Sequence, residues 1–108
     1  MSKRIPYKLL LYVAGAAPNS AQAVANLNAL CRAYLPDRHE IEIVDVFQEP
    51  KRALADGIFM TPTLVKLAPS PVRRVVGTLS NKQTVLEALG LETIAADGTR
   101  RVVAGFET

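Results

Sequence analysis

The most continuous apolar run in the chain is Leu9-Leu10-Leu11-Tyr12-Val13, inside the segment from Tyr7 to Val13. It lacks polar alternation after Lys8, which suits a strand buried on both faces. Gly15 to Pro18 breaks the run, and the period then changes. Leu27, Leu30, Cys31 and Tyr34 follow the i, i+3, i+4, i+7 spacing of one helical face. Asn19, with Gln22 in the capping-box position, is expected to open this helix. Pro36 is expected to end it by disfavouring the α conformation at Leu35. Glu40-Ile41-Glu42-Ile43 alternates, and Val44-Asp45-Val46-Phe47 prolongs the second strand. The strand–helix–strand order predicts two parallel strands joined by a right-handed crossover.

In the second half, Pro50 suits the first position of a short helix that Gly57 can terminate in the left-handed conformation. Two strands are expected around Leu64 to Leu67 and Val72 to Val76. Pro69 and Pro71 flank a tight connection between them, which favours an antiparallel hairpin. Ser80 with Gln83 predicts a second capping box, Val85, Leu86 and Leu89 supply the buried stripe, and Gly90 stops the helix. The resulting order, βαβαββα, predicts an α/β fold with a mixed sheet, similar to the thioredoxin-like folds, as a single domain over residues 1–91. A proline leading into a central strand cannot donate to a ladder. Pro62 fits if it ends a loop with its peptide bond cis, as in those folds; an ordinary trans loop proline is the alternative. In the tail, residues 92–108, Asp97-Gly98 lies between Ile94 and Val102-Val103. That pattern signals a short hairpin, and a disordered terminus stands equally open.

Composition narrows the function classes. At 108 residues the chain is long enough for one core and too short for two. The formal charge of +3 is spread along the chain with acids between, so it does not call for nucleic acid, and aromatic stacking platforms are lacking too. One cysteine and one histidine leave no intrachain disulfide, no Cys-x-x-Cys pair and no zinc spacing. Cys31 is expected to be a small core residue. Lys3, Arg4 and Lys8 before the leucine run, with Ala14-Gly15-Ala16 after it, superficially match a short signal peptide. The run is near the minimum length, however, and cleavage would delete the strand that the pattern most needs. The expectation is a cytoplasmic protein. No segment reaches the roughly 18 apolar residues of a membrane span.

A thioredoxin-type enzyme needs two thiols at the start of the first helix, where the helix N-terminus stabilises the leading thiolate. That place is Ala16-Ala17-Pro18-Asn19 here, and Cys31 lies too far down the helix to substitute. Gly-rich phosphate loops and metal clusters are absent from the pattern as well. A binding module is expected, with no catalytic residue, cofactor or metal.

More specific features are Leu11-Tyr12-Val13-Ala14-Gly15 with Pro18-Asn19-Ser20, then Val44-Asp45-Val46, Thr61-Pro62-Thr63-Leu64, Pro69-Ser70-Pro71-Val72-Arg73-Arg74 and Gly77-Thr78-Leu79-Ser80-Asn81. Together these resemble the KaiB family of circadian-clock proteins, over about Tyr7 to Leu91. The resemblance implies a non-enzymatic regulator that binds the ATPase ring of a KaiC-like hexamer. A KaiA-like protein or a histidine kinase is a further partner it implies. The alternative is a KaiB-like adaptor or sensor module for a histidine kinase or stress-response pathway. It also implies two folds: a thioredoxin-like monomer, and a ground state with a rearranged second half, tetrameric or dimeric. The pattern over residues 49–91 matches the thioredoxin-like state.

Three positions depart from the family's pattern. Ala88-Leu89-Gly90 stands where Gly-Leu-Asp is typical. Glycine inside a helix costs about 1 kcal/mol relative to alanine, so Ala88 should firm the last helix, with Gly90 as its stop, and bias the chain toward the thioredoxin-like state. Pro62, Ala88 and Gly90 are therefore the expected determinants of fold state. Gly57 and Glu42 stand where many cyanobacterial relatives carry basic residues, and a reversed rim charge alters partner choice more than fold. The candidate partner contacts are Tyr7, Lys8, Lys51, Arg52, Arg73 and Arg74, each with solvated surface charge or ordinary packing as the alternative. Arg73 and Arg74 must point to opposite faces of their strand. Asp45 is expected to cap the turn after its strand.

Overall fold

A computed structural model describes the backbone of residues 6–94 and 100–102, and side chains through residue 91. The apolar run forms β1 (Tyr7–Val13), in which every residue but Lys8 is buried. It lies inside a four-stranded sheet of order β2-β1-β3-β4, with β2 at His39–Asp45, β3 at Thr63–Ala68 and β4 at Arg73–Val76. β2 runs parallel to β1, and β3 and β4 pair antiparallel in succession. Helices α1 (Pro18–Tyr34), α2 (Pro50–Ala55) and α3 (Lys82–Leu89) complete the expected βαβαββα order. Past α3, β5 (Glu92–Ile94) and β6 (Arg100–Val102) pair antiparallel as a separate ladder. Asp97 and Gly98 lie outside the described residues.

Strand alternation sends β1 into two cores. Leu9, Leu11 and Val13 meet Ala23, Leu27, Leu30 and Cys31 of α1 and Val85, Leu86 and Leu89 of α3. Leu10 and Tyr12 meet Val44, Val65, Ile58 and Ala53 of α2 on the other side. The second core is smaller because α2 has six residues. The turn at Asp45 forms as expected: one carboxylate oxygen accepts from the Phe47 amide at 2.9 Å and from the Gly15 amide at 3.1 Å.

The helix starts differ from expectation. α1 begins at Pro18 with Ala17 in the cap position and no side-chain cap. Proline supplies its own preorganised φ at that position. Ser20, buried, accepts instead from the Ala14 amide at 3.0 Å, so side chains near this helix start tie down the incoming loop rather than the helix. For α3 the cap is Asn81, not Ser80: its side chain accepts from the Thr84 amide at 3.1 Å. Ser80 is drawn to Thr78, whose hydroxyl lies 2.6 Å away. Gly90 ends α3 with φ of 76°. The peptide bonds before Pro62, Pro69 and Pro71 are cis.

Tyr12 carries a polar link through the smaller core. Its ring is fully buried, and its hydroxyl donates to the Asp56 carboxylate at the end of α2. Burial, with Asp56 alongside, pushes the phenol up to about 12. A raised phenol stabilises the fold below the unfolded value near 10 and loses that contribution as pH climbs through about 12. Tyr12→Phe should therefore cost about 1–2 kcal/mol in urea unfolding at neutral pH. The gap to the parent should shrink between pH 10 and about 12; a pH-independent gap would contradict this link.

Candidate functional site

Three polypeptide turns meet at the end of the sheet where β1 finishes. The loop Ala14 to Ala17 leads into α1, and Asp45 and Ser20 hold its amides. The turn after β2 carries Phe47, whose ring packs where a side chain on Gly15 would start, about 3.5 Å away. The α2–β3 connection brings Gly57 to Pro62 to the same end, since Thr63 pairs opposite Tyr12. Thr63 donates its hydroxyl to the Met60 carbonyl, fixing the bend before β3.

That connection is clamped from both sides. Arg74 on β4 donates to the carbonyls of Asp56 and Gly57, while Tyr12 on β1 donates to the Asp56 carboxylate. The clamp presents Phe59 and Met60 outward, 88% and 63% exposed, next to Val76. Gly57, Ile58, Phe59, Met60, Thr63, Arg74 and Val76 line a shallow open concavity there. An apolar pair left in water beside a hydrogen-bonded turn is a candidate contact surface. Phe59 and Met60 are not among the contacts expected from the sequence. The available signal was two large apolar residues between a helix stop and Thr-Pro, outside any periodic pattern.

The six expected contact residues do not form one patch. Tyr7 must be removed from the set: it is buried, and its hydroxyl donates to the Leu89 carbonyl at 3.1 Å, joining β1 to the end of α3. Strand alternation turns its ring into the larger core, the ordinary packing that stood as the alternative. Lys8 and Arg74 lie on the α2 side of the sheet, with Lys51 and Arg52 on α2 itself, while Arg73 alternates to the opposite face. Arg52 spends its charge internally, forming a bidentate pair with Glu42 at 2.7 and 2.8 Å and reaching Glu49 at 3.5 Å. The acid at position 42 is thus matched by a cation of the same chain. Lys8 and Lys51 are exposed and make no ion pair among the described residues.

Among the described residues no thiol lies at this end of the molecule. Ala16, Ala17, Pro18 and Asn19 are exposed where a reactive pair would sit. Cys31 is fully buried in α1, and burial pushes its thiol up to about 11, so it stays protonated and inert at neutral pH. Among the described residues no group of His, Cys, Asp or Glu could hold a metal ion, and no helix is long and apolar enough to cross a membrane.

The family model for the KaiB domain matches residues 10–91. The chain belongs to the KaiB family. It is 42% identical over 86 residues to the circadian clock protein KaiB3 of Synechocystis sp., covering 80% of this chain and 82% of that one. The circadian clock oscillator protein KaiB of Synechococcus sp. (strain RCC307) is 39% identical over 108 residues, with 98% of each covered. Among solved structures, the N-terminal domain of Synechococcus elongatus SasA superposes with a TM-score of 0.65 at 22% identity, covering 81% of this chain and 83% of that one. Chloroplastic thioredoxin z gives 0.67 at 21% identity, covering 81% and 78%. The fold is therefore thioredoxin-like, on a KaiB-family sequence that lacks thiols at the helix start.

The Glu42–Arg52 pair gives a direct check of the surface electrostatics. Hydrogen bonding to Arg52 holds the Glu42 carboxyl below its ordinary value. A depressed carboxyl contributes above its unfolded pKa and loses that contribution as pH falls through the folded one. In Arg52→Gln, the Glu42 midpoint followed by NMR should rise toward the ordinary carboxylate range. An unmoved midpoint would show that the pair does not form in solution.

Proposed function

We propose that this chain is a non-enzymatic clock regulator that docks, in its thioredoxin-like form, on the ATPase ring of a KaiC-like hexamer. The observation that carries this reading is the pairing of a KaiB-family domain with a redox position that has no thiol: the segment leading into Ala16-Ala17-Pro18-Asn19 is held at its Ala14 and Gly15 amides by Ser20 and Asp45. A scaffold kept rigid without its chemistry serves recognition. The surface that fits this role is the end of the sheet bearing Phe59, Met60 and Val76, with the Arg74 guanidinium in its wall and Lys51 on α2; Lys8, at the other end of β1, stands apart from it. Apolar residues at the centre would supply most of the affinity, and the surrounding cations would steer encounter with an acidic ring. A KaiA-like protein or a histidine kinase is a further partner in this scheme, and the site of action is the cytoplasm.

Ala88 lies in the last turn of α3, just before the left-handed stop at Gly90. The thioredoxin-like monomer is the state this helix supports, and a rearranged tetramer or dimer is its competitor. Ala88→Gly should weaken α3 by about 1 kcal/mol and raise the rearranged, oligomeric population. Sedimentation together with NMR secondary shifts over residues 49–91 reads this out; an unchanged monomer would remove Ala88 as a determinant of fold state.

The decisive experiment is co-elution with a KaiC-like hexamer and ATP on a sizing column. Stoichiometric comigration, weakened at least about tenfold by Phe59→Ala with Met60→Ala, is expected. Free elution as a small protein would move the assignment to an adaptor of a histidine kinase or stress-response pathway.

A further inference from the structure

The sheet ends on two edges of opposite charge. β2 carries Glu40 and Glu42, and β4 carries Arg73 and Arg74. Among the described residues β4 pairs with β3 alone. The Gly77 amide donates to the Pro62 carbonyl at 2.9 Å, which sets the phase of the ladder. By the alternation of antiparallel hydrogen bonding, Val75 and Arg73 bond inward to β3. The amides and carbonyls of Arg74 and Val76 then point away from the sheet. An open row of this kind is a template for another strand.

The side chains indicate which strand would fit. Leu9, Lys66 and Arg73 stand in one row across a single face of the sheet. Lys66 is 4% exposed, and neither it nor Arg73 has an acidic partner among the described residues. Like charges directly opposite each other disfavour a ladder, and burial together with the Arg73 charge depresses the Lys66 ammonium. The next place in this row is the one that a strand added to β4 would fill. Val72 and Val76, both more than half exposed, leave apolar surface along the same edge.

We propose that the outer edge of β4 takes an extended acidic segment of a partner protein as a fifth strand, setting an Asp or Glu beside Arg73 and Lys66. Main-chain bonds to Arg74 and Val76 provide affinity, and the acid provides selectivity. Pairing of β4 with a second β4 is opposed by its arginines. The rival occupant is β2 of a second copy, but the Glu42 carboxylate on that strand is already held by Arg52. The proposal does not depend on which ATPase the chain docks on.

The test uses the full chain and a synthetic peptide, acetyl-Thr-Glu-Val-Glu-Val-Thr-amide, with lysine replacing glutamate in the control. The acidic peptide should slow amide exchange at Arg74 and Val76 and bind about tenfold more tightly than the control. Arg73→Glu should reverse that preference. Val76→Pro, which removes an outward amide and leaves the β3 ladder paired, should abolish protection at Arg74. Equal affinity for the two peptides, no protection at Arg74 and Val76, or protection confined to β2 would overturn the proposal. Concentration-dependent self-association abolished by Glu40→Lys would overturn it too, by assigning the edge to a second copy.

Discussion

Both cores of this domain share one strand. β1 is sandwiched between β2 and β3, and it sends Leu9, Leu11 and Val13 to the larger core and Leu10 and Tyr12 to the smaller one. Each fully buried leucine of this kind is worth roughly 1.5–3 kcal/mol, so the strand contributes on a scale comparable to the net stability of a small domain. Every other element is placed relative to it. The register of β2 and β3 on β1 decides where the Asp45 turn, the Thr61–Pro62 bend and the start of α1 converge.

The polar network at that convergence is small, and each bond in it ties a loop rather than a helix. Asp45 and Ser20 collect the amides of the β1–α1 loop. Tyr12 and Arg74 reach Asp56 from two strands and hold the α2–β3 connection between them. Leu79 is part of the same economy of fixed loops. It is buried with φ of 64°, a left-handed conformation that a branched side chain adopts only when its surroundings impose it. Burial against the larger core does so, and Asn26 of α1 secures the preceding carbonyl at 2.8 Å.

Such rigidity without thiols separates scaffold from chemistry. The frame that would orient a redox pair remains, with alanines and a proline in the exposed positions, while the cysteine that exists is locked away in α1. What the frame orients instead is apolar surface at Phe59 and Met60 and two sheet edges of contrasting charge. The proposed docking role rests on these features.

Much of this was legible in the residues alone, because local rules acted alone. The apolar run from Leu9 to Val13, the 3.6 period of α1, the proline at the start of α2 and the glycines at the stops determined element order, and with it the α/β fold. Missing thiols determined that the redox position was empty. Where two local signals compete, sequence does not decide between them: Asn19 and Ser80 have cap chemistry, yet α1 starts at Pro18 and α3 is capped by Asn81. Tertiary structure alone decided that Tyr7 is buried, that Arg52 neutralises Glu42, and that Lys66 and Arg73 share a row without an acid. Those outcomes depend on register between segments distant in the chain. Because a one-residue slip sends a strand's side chains to the other face, only the assembled sheet determines which charges meet and which remain for a partner.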